Sequence, residues 1–321
     1  MNTTTGCRLK VKSFTGEEAM TPGIYRDMPA EEYHAKEGLS YSRAKHLLKC
    51  PALCKYHMDN PRKPTRPQVF GSAVHCRLLF GKDAFRKTYD LKLSWATKDG
   101  KLQREACGGD DEFLLTEDEF ERVEGCARSV EQHEKLGKLI GRIQEREVSL
   151  FWTDRERNVP CKARLDGWFP GTVVDLKTVG SADEWTVLSQ LRKLQYHVQA
   201  AHYLAGAKAC GLQADIFCLV CIEAQPPHYC AAYTIDRETI EAGELVRMEA
   251  IARFNYCLTT GDWPTYPAFT DIGLRKTDLT RIEEAYGKRE GHEGTDEGLE
   301  DDEADDDSGD PDTDDWGSAG D

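Results

Sequence analysis

The sequence predicts a mixed α/β domain with a central sheet flanked by helices. Two observations carry that reading. Apolar residues recur at helical spacing up to about Lys138, and three strand-like runs then follow in close succession between Glu147 and Thr178. A long helical stretch separates these from Ala214–Ile222, a continuous apolar run of the kind a buried strand requires. The order is too irregular for a doubly wound dinucleotide fold, whose glycine-rich phosphate loop is also missing.

Each element has its own signal. Residues 1–22 read as a loose leader. Ser40–Lys49 has the Ser start and apolar spacing of a short helix, stopped by Pro51. Gln68–Phe80 reads as a more apolar helix and Glu117–Lys138 as a longer, charged one. Between them the polar, Gly-containing stretch Lys98–Asp111 reads as a surface loop. Strands are expected at Glu147–Trp152, Val159–Asp166 and Thr172–Thr178. A helical stretch runs from about Asp183 to Cys210, Tyr229–Ile235 neighbours the strand Ala214–Ile222, and Arg237–Leu258 closes the domain as a helix. The domain is expected over residues 23–289. Residues 290–321 carry too few apolar groups to offset their ordering entropy and read as a disordered acidic tail.

Composition constrains function once charge is located. The chain has 321 residues and a net charge of −15, from 42 basic and 57 acidic side chains. Of the acidic residues, 16 fall in 290–321, where no Lys or Arg stands, so the preceding body carries 41 acidic against 42 basic. A nearly neutral body is compatible with nucleic acid. The tail reads as a solubilising end; electrostatic mimicry of DNA would show as a changed salt dependence of activity on its removal. No run reaches the length of a membrane span, and the N-terminus lacks the basic-then-apolar order of a secretion signal. The 12 Cys are scattered, several within strand-like runs (Cys161, Cys218, Cys221), which fits a reduced, cytoplasmic protein.

The segment Cys161-Lys-Ala-Arg-Leu-Asp166-Gly-Trp-Phe-Pro-Gly-Thr-Val-Val-Asp175-Leu-Lys177-Thr178 is the most informative. Alternation puts Asp175 and Lys177 on one face of their strand, with Val174 and Leu176 toward the core, while Lys162, Arg164 and Asp166 share a face of the preceding strand. A two-residue turn at Pro170-Gly171 would pair Phe169 with Thr172 and set Asp166 opposite Asp175. Carboxylates so placed repel unless a cation lies between them, and a hard divalent ion such as Mg²⁺ suits them. Pro-Gly favours a type II turn, which matches hairpin twist poorly. Alone, Asp-x-Lys reads as an ordinary solvated strand face, because such triplets are common by chance. Two further groups strengthen it. Gln195, Gln199 and Tyr203 are four apart along one helical face, and Gly71-x-x-x-His75 places an imidazole in an otherwise apolar helix.

In this order, Gly71-x-x-x-His75, Asp166, Asp175-Leu-Lys177-Thr178 and Gln199-x-x-x-Tyr203 resemble the RecB-type branch of the PD-(D/E)XK nucleases. Within it they are most similar to the nuclease domain of the RecE (exonuclease VIII) family and its phage relatives. The opening Leu39-Ser-Tyr-Ser-Arg-Ala-Lys-His-Leu-Leu-Lys-Cys-Pro51 and closing Gly261-Asp-Trp263-Pro264 resemble the ends of that domain, so the resemblance spans about residues 24–265. Leu165-Asp166 stands where the family motif begins Pro-Asp. The resemblance implies the restriction-endonuclease-like core, with His75, Asp166, Asp175 and the Leu176 carbonyl binding Mg²⁺, for which Mn²⁺ can substitute. It implies that Lys177 orients or deprotonates the attacking water, and that Gln199 and Tyr203 position the scissile strand or support the metal. It further implies 5′→3′ digestion of linear double-stranded DNA, 3′ single strands passed to a RecT-like annealing partner, a ring-shaped homo-oligomer such as a tetramer, and a phage or prophage origin in the host cytoplasm. A RecB-type endonuclease or flap nuclease, or a non-catalytic DNA-end-binding protein, are the alternatives on the same fold.

Two other features of the sequence bear on function. Cys50-x-x-x-Cys54, Cys210, Cys218, Cys221 and Cys230 raise the question of an iron–sulfur or zinc site, but Cys218 and Cys221 should face opposite sides of a strand, a poor chelate. Arg43, Lys45, Lys49, Lys55, Arg62, Lys63 and Arg66 enrich the N-terminal third with Tyr41 and Tyr56 among them, which reads equally as a solvated face or as a phosphate-contacting one.

Overall fold

The computed structural model describes residues 21–287. The expected leader, except its last two residues, and the expected acidic tail lie outside them. One compact unit extends through Thr265 and a second begins at Tyr266. The first half of the first unit comprises β1 (Gly23–Tyr25), α1 (Ala30–Ala35), α2 (Tyr41–Lys49), α3 (Pro51–Asp59), α4 (Arg66–Thr88), β2 (Asp90–Leu91), α5 (Lys98–Ala106) and β3 (Leu114–Leu115). Next come α6 (Glu117–Gln132), α7 (Glu134–Gly141), β4 (Glu145–Asp154), β5 (Val159–Phe169) and β6 (Gly171–Val179). The unit ends with α8 (Glu184–Lys193), α9 (Tyr196–Ala209), β7 (Ala214–Glu223), β8 (Cys230–Thr234) and α10 (Arg237–Thr260). The second unit contains α11 (Lys276–Tyr286), whose first turn pairs Arg275 with Asp278. Among the described residues no helix is long and apolar enough to cross a membrane.

Six strands form one sheet in the order β1-β4-β5-β6-β7-β8. Every neighbouring pair is antiparallel except β6 and β7. That one parallel pair explains the long helical connection, since parallel neighbours need a crossover, here α8 and α9. The sheet has a core on each face. Residues of α2, α9 and α10 pack with Val148, Leu150, Ala163, Leu165 and Val173 on one side. Residues of α4 and α6 pack with Val174, Leu176, Cys218, Val220 and Ile222 on the other. Val174 and Leu176 are buried as their alternation implies, and Cys218 and Cys221 fall in different cores.

The ends expected from the motifs meet in space. Ser40 caps α2 by accepting from the Arg43 N–H (3.3 Å), and Pro51 opens α3. Gly261 ends α10 in a left-handed conformation (φ 71°), Trp263 packs edge-on to Phe254, and the Pro264 carbonyl accepts from the Ala52 N–H (3.0 Å).

Three expected elements differ. Lys98–Ala106 is a helix rather than loop, because the Thr97 hydroxyl caps it through the Gly100 N–H (3.1 Å). The charged helix is two: the chain turns at His133, whose ring accepts from the Leu136 N–H (3.4 Å) to start α7. The helix expected from Asp183 to Cys210 breaks at Gln195, which is left-handed (φ 59°) and precedes α9. Gln195 therefore does not share a helical face with Gln199 and Tyr203.

Candidate active site

The site forms where β5 and β6 part. Their ladder holds only three pairs next to the turn: Phe169 with Thr172, Trp168 with Val173 and Gly167 with Val174. Gly171 has φ 91°, the sign a Pro-Gly type II turn requires, and such turns splay the strands they join. Continuing the register by one residue brings Asp166 opposite Asp175, as the sequence implied. There the ladder stops, and side chains take over its work: Asp166 Oδ2 accepts from the Leu176 N–H at 2.7 Å.

The ladder on the other side of β5 is interrupted at the same level. Arg146 pairs with Gly167 and Val148 with Leu165, while Glu147 and Asp166 between them are unpaired. Glu147 has φ 48°, a conformation sparsely populated by side-chain-bearing residues. Its Oε2 accepts from Arg164 Nε (2.7 Å), which holds the carboxylate in place. Gly167 leaves room for Ile143, whose Cδ1 would lie 2.7 Å from a Cβ there.

His75 reaches this gap from α4. Its Nε2 lies 3.0 Å from the Leu176 carbonyl oxygen, so an Nε2–H donates there and the Nδ1 lone pair points the other way. Nδ1 is 3.6 Å from Asp166 Oδ1 and 3.9 Å from Glu147 Oε1. One donor atom from each of His75, Glu147 and Asp166 falls within 4.8 Å of the others. Burial lowers the His75 pKa despite the opposing pull of Glu147, which favours a neutral ring whose Nδ1 lone pair faces the two carboxyl groups. Burial, then Asp175 and Glu147, raise the Asp166 pKa well above the carboxylate range. Donors crowded in this way repel when Asp166 is ionised; the metal-free site relieves that by holding a proton on Asp166, and a divalent cation would relieve it in the proton's place. The donors of His75, Glu147 and Asp166 suit a divalent cation; of the other expected ligands, Asp175 belongs to the second half of the site and the Leu176 carbonyl lies 3.0 Å from His75 Nε2.

The second half of the site faces α9. Gln199 Nε2 donates to Asp175 Oδ1 (2.8 Å), and Lys177 Nζ lies 2.9 Å from Asp175 Oδ2. The Lys177 ammonium also stands 5.3 Å from the Tyr196 ring centre. Burial alone would lower the Lys177 pKa, but Asp175, Tyr196 and Asp166 outweigh it and keep the group charged. Asp175, Lys177 and Gln199 are all buried. Tyr203, one turn beyond Gln199, packs in the main core with its ring edge-on to Phe217.

The structure thus brings together His75, Asp166 and Leu176 in one group and Asp175, Lys177 and Gln199 in another, on adjacent strands. Glu147 is the addition that motif reading missed. Its signal lay in hairpin arithmetic: a register pairing Val148 with Leu165 across the Asp154–Val159 turn sets Glu147 level with Asp166.

Comparisons with known proteins bear on the fold and the family. A crystal structure from Eubacterium rectale bearing the name "Putative exonuclease" aligns with a TM-score of 0.54 at 15% identity, covering 80% of this chain and 99% of that one. A likeness at that identity concerns fold. A second solved structure, of SSO0001, aligns over 62% of this chain and 96% of that one, at 15% identity, but its TM-score of 0.25 supports no argument. No curated protein matches. The family model described as "PDDEXK-like domain of unknown function (DUF3799)" matches residues 40–271, which include every residue of the site. The chain belongs to that PDDEXK-like family, and its mixed sheet flanked by helices is the fold of the PD-(D/E)XK nuclease superfamily.

Proposed function

We propose that this protein is a divalent-metal-dependent deoxyribonuclease acting on the ends of linear double-stranded DNA. The observation that carries the reading is the pairing of His75, Glu147 and Asp166 with the Asp175–Lys177 couple across the parted strands. His75 Nδ1, Asp166 and Glu147 would hold the metal, Mg²⁺ or in its place Mn²⁺, and Asp175 would complete its ligands. A bound divalent ion supplies Lewis acidity toward phosphate oxygens and acidifies water. The protein's own groups do the rest. Lys177 places a fixed positive charge where the scissile phosphate gains negative charge, in a buried site. Gln199 holds Asp175 by one oxygen and leaves the other facing Lys177. Tyr203 supports α9 behind Gln199.

The finer features follow from the RecE-like motif order: 5′→3′ polarity, 3′ single strands delivered to a RecT-like annealing protein, a ring-shaped homo-oligomer, and action in the cytoplasm of a phage host. The test is digestion of linear duplex DNA labelled distinctly at its 5′ and 3′ ends, with Mg²⁺ and with EDTA, beside a covalently closed circle. Metal-dependent release from the 5′ ends with circles spared supports the full reading. Cutting of circles identifies an endonuclease instead. No cleavage by folded protein with any divalent metal overturns the enzyme reading.

A further inference from the structure

Two groups of unlike kind flank the Lys177 ammonium. Its Nζ lies 2.9 Å from Asp175 Oδ2 on the same strand and 5.3 Å from the centre of the Tyr196 ring on α9. Lys177 and Tyr196 are both buried, so the ring meets the charge with little water to screen it. A ring face attracts positive charge through its quadrupole but accepts no strong hydrogen bond. Carbonyl oxygens in its place would occupy the ammonium's N–H groups, as they do at Lys162. The ring therefore holds the charge and leaves donors for a phosphate oxygen.

The first turn of α9 places that ring. Tyr196 opens the helix and Gln199 stands three residues on, so the two side chains share a face. Gln199 Nε2 donates to Asp175 Oδ1 at 2.8 Å while Tyr196 lies against Lys177, so one helical turn contacts both members of the pair. The face expected to carry Gln195 carries Tyr196 instead. The left-handed Gln195 starts the turn, its carbonyl accepting from the Val198 N–H (2.9 Å) and the Gln199 N–H (3.2 Å). Two neighbours fix it from outside. The Tyr41 hydroxyl of α2 donates to the Leu194 carbonyl, and Gly243 of α10 comes so close that a Cβ there would lie 2.2 Å from the His197 carbonyl oxygen. A ring seated on a clamped turn is a preorganised surface.

We propose that Tyr196 is a positioning residue of the nuclease: its ring face, rather than its hydroxyl, holds the Lys177 ammonium where the scissile phosphate comes to lie. This rests on the proposed nuclease reading and adds to it a residue outside the motif set. The ring acts through Lys177, not on the substrate itself.

The test replaces Tyr196, in the full chain, by leucine, by phenylalanine and by phenylalanines of increasing ring fluorination. Fluorine withdraws charge from the ring face with little change in size, so a packing role alone predicts no trend along the series. Two quantities are measured. The first is kcat and KM for linear duplex DNA with Mg²⁺. Leucine should lower kcat about tenfold with KM held, phenylalanine should restore most of it, and each added fluorine should lower it again. The second is Tm in EDTA, which needs no cleavage. It should fall by roughly 2–4 °C across the fluorinated series when Lys177 is present and stay level in a Lys177→Met background. A level Tm series, or the same slope in Lys177→Met, overturns the contact; a sloping Tm with level kcat overturns the positioning role. If the leucine variant unfolds, the phenylalanine series still decides. A wild type that cleaves nothing with any divalent metal, while the Tm slope holds, defeats the nuclease reading and leaves the contact.

Discussion

Lys162 and Lys177 stand on adjacent strands, and each is 2% exposed, yet their surroundings differ in kind. Lys162 donates to three backbone carbonyls, those of Tyr33 (2.8 Å), His34 (3.3 Å) and Lys36 (2.8 Å), and lies over the Tyr33 ring. Its hydrogen-bonding capacity is used, and it ties the end of α1 to β5. Lys177 meets a carboxylate and an aromatic face, and makes no well-formed hydrogen bond among the described residues. Burial does not by itself mark the lysine proposed to be catalytic. What distinguishes it is a charge held next to groups that leave part of its capacity for something else.

The comparison can be broken by substitution. Asp175→Ala and Lys177→Ala should each lower the cleavage rate by about 10³-fold or more, while folding remains cooperative. Lys162→Ala should instead cost stability, about 3 kcal/mol, because three carbonyls lose their donor together. Urea unfolding reads that loss, and the folded fraction of the variant should retain normal cleavage.

Asp166→Asn sharpens the same contrast from the acidic side. The crowded Asp166 carboxylate titrates above its unfolded value, so the folded chain keeps a proton that the unfolded chain releases. Stability of the metal-free protein therefore falls as pH rises above the ordinary carboxylate pKa. The neutral amide should remove that dependence and raise Tm in EDTA at neutral pH by about 2–4 °C. Mg²⁺ should raise the Tm of the wild type and leave that of Asp166→Asn unchanged, as read by thermal scans with and without metal.

The sequence carried the sheet centre well, because alternation along Thr172–Thr178 and the Pro170-Gly171 turn fixed which residues could oppose one another. His75 and Gln199 were legible only through motif order, since nothing local distinguishes a ligand imidazole from a buried one. Glu147 escaped because it makes its contact through an interruption in the ladder, and a strand read as regular has no place for one. The break at Gln195 escaped for a related reason. Arg192-Lys193-Leu194-Gln195 contains no Gly or Pro, and the left-handed residue is imposed by the packing of α8 and α9. The basic N-terminal residues were legible as a set, but the pairing of Lys63 with Asp110 and of Arg66 with Glu119 joins residues distant in sequence.

The most direct test of the account is the rate of Mg²⁺-dependent digestion of linear duplex DNA by the wild type and by Lys177→Ala, each shown to be folded by circular dichroism. The account predicts digestion by the wild type and its loss in the variant. Near-normal digestion by folded Lys177→Ala would contradict it.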